Sequence, residues 1–162
     1  MILSIDQSFR ECSYTIANVT SGKIEIEKVV TFTIKQKTHK HYWLSETFRE
    51  LIKEHDITHV YYEHQFQAAM HVITGAVLAA IPPTAKSKRI NVKSARSKLF
   101  KGFSYDKQTI YDASLVRWPQ LKGLSTGAVD SFVQLVSEHV NSKIIFKAGS
   151  ITKPVKKKKK TT

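Results

Sequence analysis

Three acidic residues, far apart in the chain, each sit at the end or the beginning of an apolar stretch. Asp6 follows the run Ile2 to Ile5, Glu63 follows Val60-Tyr61-Tyr62, and Asp130 falls in the first turn of an apolar helix. Carboxylates placed in this way can converge at one end of a sheet, and oxygen ligands are what a hard divalent ion such as Mg²⁺ requires. The chemistry within reach is metal-dependent hydrolysis of a phosphodiester. The charge of the chain supports phosphate as the partner, because the formal net charge is +13. Six of those positive charges, Lys153 and Lys156 to Lys160, lie at the C-terminal end with no acid among them, which leaves +7 for the remainder. A body that stays basic, without amphipathic membrane features, points to a polyanion, with nucleic acid ahead of acidic proteins.

The acids need a scaffold, and the hydrophobic pattern predicts one. A length of 162 residues with 41% hydrophobic content fits one domain over 1–148, followed over 149–162 by a disordered Lys-rich tail that cannot bury enough surface to fold. The tail could serve as a nonspecific DNA clamp, a nuclear-import signal or a solubilising end. No apolar run reaches the roughly 18 residues of a membrane span, so no membrane role is expected. The N-terminus lacks a basic leader and a small-residue cleavage site. The single cysteine, Cys12, excludes an internal disulfide and suits a reducing compartment. The expected location is intracellular, cytoplasmic or nuclear, in a host cell if the source is viral.

Strands are expected at Ile2 to Asp6, Ser13 to Val19 and Ile24 to Ile34, with Gly22 taking a positive φ in the turn between the last two. An amphipathic helix over His41 to Glu54 places Leu44, Phe48, Leu51 and Ile52 on one face. A strand over Thr58 to Glu63 then runs parallel to the first, because a helical crossover precedes it. A buried helix over 68–80 is stopped by Pro82-Pro83. A short strand over Arg89 to Val92 and helices over 94–100 and 106–118 follow. The last helix is capped by Ser125 or Thr126 and buries a stripe of Val129, Phe132, Val133, Val136 and Val140. Asp130 lies at the margin of that stripe, near the helix N-terminus, where its ionised form is favoured.

This order of elements resembles the RuvC-like Holliday-junction resolvases of the ribonuclease H-like superfamily, in the style of bacterial, phage and large-virus members. The motifs that carry the resemblance are Ile5-Asp6-Gln7-Ser8, Tyr62-Glu63-His64-Gln65 and Ala128-Val129-Asp130-Ser131. The segment Asn91 to Lys107 is similar to that family's Lys-containing stretch after the fifth strand. The resemblance implies an α/β fold: a ribonuclease H-like mixed five-stranded sheet, three antiparallel strands then two parallel, flanked by helices. It further implies a homodimer that binds branched DNA at a four-way junction and nicks opposed strands with Mg²⁺, for which Mn²⁺ can substitute, and with no small-molecule cofactor.

In the two-metal scheme the resemblance implies, the ions lie about 4 Å apart. Asp6 would bridge both, Glu63 would bind the leaving-group ion, and Asp130 would bind the nucleophile ion. Lys107 would stabilise charge on the scissile phosphate. The helix over 68–80 would provide the dimer contact, or else be buried entirely within the domain. Phe66 would sit near the junction centre, where stacking on a base is worth roughly 1–3 kcal/mol, or else pack in the core.

One departure stands out. Three positions before Asp130 the family has a further acidic or metal-binding residue, and this chain has Gly127; a water, the Thr126 hydroxyl or a residue from elsewhere could fill the gap. Three function classes follow: a junction endonuclease, a branched-DNA-binding protein with weak cleavage, and an RNA- or hybrid-directed relative. Lys93, Arg96, Lys98 and Lys101 can form a positive ridge that positions phosphates, or simply a solvated helical face. Ser131 is expected to be a small packing residue, and Glu54, Asp56, Asp112 and Glu138 surface acids. His39 and His41 lack the clustered partners of a zinc site. The absence of a Gly-rich phosphate loop and of a Gly-x-Ser-x-Gly elbow argues against nucleotide hydrolysis and serine chemistry.

Overall fold

The first strand, β1 (Ile2–Asp6), is the hinge of the architecture, because it is flanked on both sides. On one side it pairs antiparallel with β2 (Glu11–Thr20), which pairs antiparallel with β3 (Lys23–Thr33). The tight turn between β2 and β3 uses Gly22 at φ 74°, a left-handed conformation that costs glycine little. On the other side, the crossover through α1 (Lys40–Glu54) brings in β4 (His59–Glu63) parallel to β1, and β5 (Lys86–Ile90) adds parallel to β4. The coordinates are a computed structural model that describes residues 1–36, 38–65 and 67–152. Phe66 and the Lys-rich run from Lys153 lie outside the described residues.

Side chains alternate across the sheet, and each face has its own core. Leu3, Ile5 and Val60 turn toward α1 and α2 (His71–Ala80), where they meet Leu44, Phe48, Ile73 and Val77. Ile2, Ile26 and Tyr61 turn the other way, toward α3 (Val92–Leu99), α4 (Lys107–Arg117) and α5 (Thr126–Ser137). Phe132 of α5 is fully buried there, edge-on to Trp118 at 4.9 Å and stacked on Phe146 at 5.5 Å. By the same alternation Asp6 and Glu63 fall on the α5 face.

The expected mixed sheet is present, with its antiparallel and parallel parts in place, and it gains a sixth strand. The order is β5-β4-β1-β2-β3-β6, with β6 (Lys143–Phe146) parallel to β3. The pairing continues past 148: Ile151 bridges Val29, and the Val29 amide donates to Ser150 O at 2.8 Å. Other boundaries shift for local reasons. The β5 strand ends at Ile90 rather than Val92, because Asn91 caps α3 by accepting from the Ser94 amide at 3.2 Å. The helix expected over 68–80 begins as a 3₁₀ turn, Ala68–Met70. Val140 drops out of the core stripe and is 43% exposed, since α5 stops at Ser137. Among the described residues no helix is long and apolar enough to cross a membrane.

Candidate active site

The parallel register of β1 and β4 sets Ile5 opposite Tyr62, so the next residues, Asp6 and Glu63, leave the same end of the sheet side by side. Neighbouring strands lie about 4.8 Å apart, and two carboxyls on one face at that spacing must meet. They interact directly at the end of the sheet. Burial pushes the Asp6 carboxyl well above the usual carboxylate range, the hydrogen bond to Glu63 and the Glu63 and Asp130 charges push it the same way, and Lys107 opposes them.

Glutamines hold the pair in place. Gln7, almost fully buried, donates to Glu63 O at 2.9 Å and to Thr74 Oγ1 at 3.3 Å, and it accepts from the Glu63 amide at 3.2 Å. Gln65 donates to Glu63 Oε2 at 2.7 Å and to Gln7 O at 3.4 Å. Alternation along β1 continues through Gln7 and turns it away from Asp6, which is how it reaches Thr74 of α2. Gln7 and Gln65 stand beside the two acids in the sequence, but their role is visible only once β1 and β4 are neighbours.

The third acid arrives on α5, which lies across β1, β2 and β3. Its N-terminus is fastened by Ser125, whose Oγ accepts from the Ala128 amide at 3.2 Å and contacts Thr31 Oγ1 at 2.6 Å; Thr31 in turn contacts Ser13 Oγ at 2.8 Å. Small residues let the helix press onto the sheet, and Ser131, buried and 2.9 Å from Thr15 Oγ1, is one of them. Gly127 is the tightest point. A Cβ there would lie 2.7 Å from Asp6 Oδ2 and 2.9 Å from Ser13 Oγ, so the missing side chain makes room for the Asp6 carboxyl. Gly127→Ala is expected to destabilise the protein by about 1–3 kcal/mol through overpacking, read by urea denaturation. An unchanged midpoint would mean that Asp6 turns aside freely.

Asp130 is buried, with each carboxylate oxygen facing a cation. Arg96 Nη2 donates to Oδ1 at 3.0 Å, and Lys107 Nζ lies 3.3 Å from Oδ2. Arg96 is itself 9% exposed and donates through Nη1 to Tyr105 O at 2.8 Å. The basic ridge expected from sequence is therefore divided. Arg96 turns inward to Asp130, and Lys98 pairs with Glu138 Oε1 at 2.8 Å. Glu138, expected as a surface acid, has a side chain only 10% exposed and also holds Lys88. Lys93 stays exposed at the rim of the cleft, and Lys101 is exposed beyond the end of α3.

Asp6, Glu63, Asp130, Lys93, Arg96 and Lys107 line one cleft of 300 Å³. A second cleft of 370 Å³ adjoins it across Asp6, Glu63 and Lys107 and reaches Ser13, Thr126 and Gly127. Among the described residues no group of three or more His, Cys, Asp and Glu is assembled as an ion site. Asp6 and Glu63 nonetheless fit a hard divalent ion. They are oxygen donors placed side by side, and a cation between them would offset the repulsion that raises the Asp6 carboxyl.

No protein-family model matches the sequence, and no curated protein matches it. Solved structures do. The chain superposes on Thermus thermophilus RuvC in complex with a Holliday junction substrate at a TM-score of 0.67 and 11% identity, covering 85% of this chain and 91% of that one. The fowlpox virus resolvase, solved with substrate Holliday junction DNA, gives 0.58 at 19% identity, covering 86% and 97%. The yeast mitochondrial Holliday junction resolvase gives 0.60 at 12% identity, covering 84% and 76%. All three share the sheet with this chain over most of its length at identities too low to speak for more than architecture, and the chain has the ribonuclease H-like fold of the RuvC-type junction resolvases.

Proposed function

We propose that the protein is a structure-selective DNA endonuclease that resolves four-way junctions by metal-dependent phosphodiester hydrolysis. The observation that carries the reading is the placement of Asp6 and Glu63 side by side on the α5 face of a resolvase-type sheet, in a cleft shared with Asp130 and Lys107. Asp6 and Glu63 would hold Mg²⁺, with Mn²⁺ able to substitute. When bound, such an ion lowers the pKa of a water and neutralises charge on the phosphate. The remaining work falls to the chain. Gln65 fixes the direction of the Glu63 carboxyl, Gln7 ties down the Glu63 backbone, and Asp6 stays open to the cleft. Lys107, whose side chain is 52% exposed, reaches a bound phosphate from the start of α4, and Lys93 and Lys101 position the strand on either side of α3 without reading its sequence.

A homodimer suits a two-fold junction, and α2 supports one. Its outer face exposes Val72 by 55% and Leu78 by 42%, and Tyr42 of the neighbouring α1 is 65% exposed. A second reading, a branched-DNA-binding protein with little cleavage, is favoured by Gly127 and by the engagement of Asp130 with two cations. Incubation of the protein with a synthetic four-way junction, a linear duplex and an RNA–DNA hybrid, each with Mg²⁺ or with EDTA, separates the readings. Ion-dependent paired nicks in the junction alone are expected. Tight junction binding without nicks would select the second reading, and preferential cutting of the hybrid would replace both.

A further inference from the structure

We infer that the site takes one divalent ion per chain, on Asp6 and Glu63, because Arg96 retains Asp130 as its counter-ion. The inference rests on the metal-dependent reading above and refines it. A second ion would need Asp130 and at least one more donor near it, and both are withheld. Asp130 has Arg96 Nη2 at 3.0 Å on one oxygen and Lys107 Nζ at 3.3 Å on the other, so an incoming dication would meet two cations already in place. Lys107 can swing away, since half its side chain is open to solvent. Arg96 cannot. It is almost fully buried, its Nη1 is fixed on Tyr105 O at 2.8 Å, and its Nε finds no partner among the described residues. Drawing Asp130 toward an ion would leave a buried guanidinium without a counter-charge, which is strongly unfavourable.

The additional donor is withheld by geometry. One turn before Asp130, Gly127 has no side chain, and a Cβ at that point would strike Asp6 Oδ2 at 2.7 Å and Ser13 Oγ at 2.9 Å. The space a further ligand would need is filled by the first carboxylate. Gly127 and Arg96 therefore act together: one leaves Asp6 its place against Glu63, and the other keeps Asp130 out of the ion's coordination.

Mn²⁺ titration of the full-length protein, followed by electron paramagnetic resonance, counts the ions. Saturation at one Mn²⁺ per chain with the spectrum of an isolated ion is expected. Saturation at two, with the exchange-coupled spectrum of a close pair, would overturn the inference and leave the nuclease reading standing. No bound Mn²⁺ at all would remove both. Arg96→Met, which keeps the bulk of the side chain and discards its charge, is expected to release Asp130 to the ion on Asp6 and Glu63 and to tighten Mn²⁺ binding by about tenfold, with the count still at one because Gly127 offers no further donor. A folded Arg96→Met protein with wild-type Mn²⁺ affinity would show that Arg96 is not what keeps Asp130 from the ion. Should that variant fail to fold, the wild-type count decides alone.

Discussion

Asp6→Asn is expected to lower ion-dependent nicking of a four-way junction by more than about 10²-fold, the scale on which loss of one charge-stabilising group at an active site is felt. Junction affinity should be nearly unchanged, because the lysines proposed to meet phosphate are untouched. The two readouts, nicking rate and binding by gel shift, move apart only if Asp6 acts on the chemistry. Nicking that survives the substitution would take Asp6 out of the site. The same variant has a second signature in metal-free buffer. Asp6 holds its proton more tightly in the fold than in the unfolded chain, where the ordinary value is 3.8. A raised acid favours the fold below that value, and the advantage is lost as pH rises through the raised one. Metal-free protein should therefore melt at a higher temperature in mildly acidic buffer than at neutral pH. Asp6→Asn should remove that slope and raise the neutral-pH Tm by about 2–4 °C for each kcal/mol of strain relieved. Mg²⁺ should flatten the wild-type slope in the same way.

Asp130→Asn should act on stability first. It leaves Arg96 buried beside a neutral amide, and breaking a buried ion pair from one side costs about 3–5 kcal/mol. In a domain of this size that lowers Tm by about 10 °C. Removing both partners together, as Arg96→Met with Asp130→Leu, should recover most of the loss, because neither uncompensated charge remains. A double-mutant cycle in urea measures the coupling. A single variant as stable as the wild type would show that the guanidinium finds water, and the buried pair would lose its structural meaning.

Periodicity alone located β1, β4 and α5, and those three elements bear the acids. Their positions at element ends suggest that the acids converge, while the common face of Asp6 and Glu63 follows only from the pairing of β1 with β4. The sixth strand escaped because Lys143-Ile144-Ile145-Phe146 is only four residues long, and its partner, β3, lies more than a hundred positions upstream. The Arg96–Asp130 pair escaped for a related reason. A basic residue among Lys93, Lys98 and Lys101 has the same local pattern whether it faces solvent or a buried carboxylate, and only the packing of α3 on α5 decides. Gly127 was visible as a departure, while its cause was not. The contact that demands a glycine is with Asp6, across the whole length of the fold.

Most helices keep one face in water, but α5 does not: every residue from Gly127 to Ser137 is buried. A segment without a wet side has no cheap partial opening, so its amide protons can meet solvent only when the whole domain unfolds. Hydrogen–deuterium exchange in the middle of α5 should therefore run at the rate set by global stability, slower than in α2 or α4. The backbone that presents Asp130 is thus fixed for as long as the protein is folded, and under the proposed function any adjustment of the cleft to a phosphate would have to come from the side chains of Lys93 and Lys107 and from the Asp6–Glu63 pair.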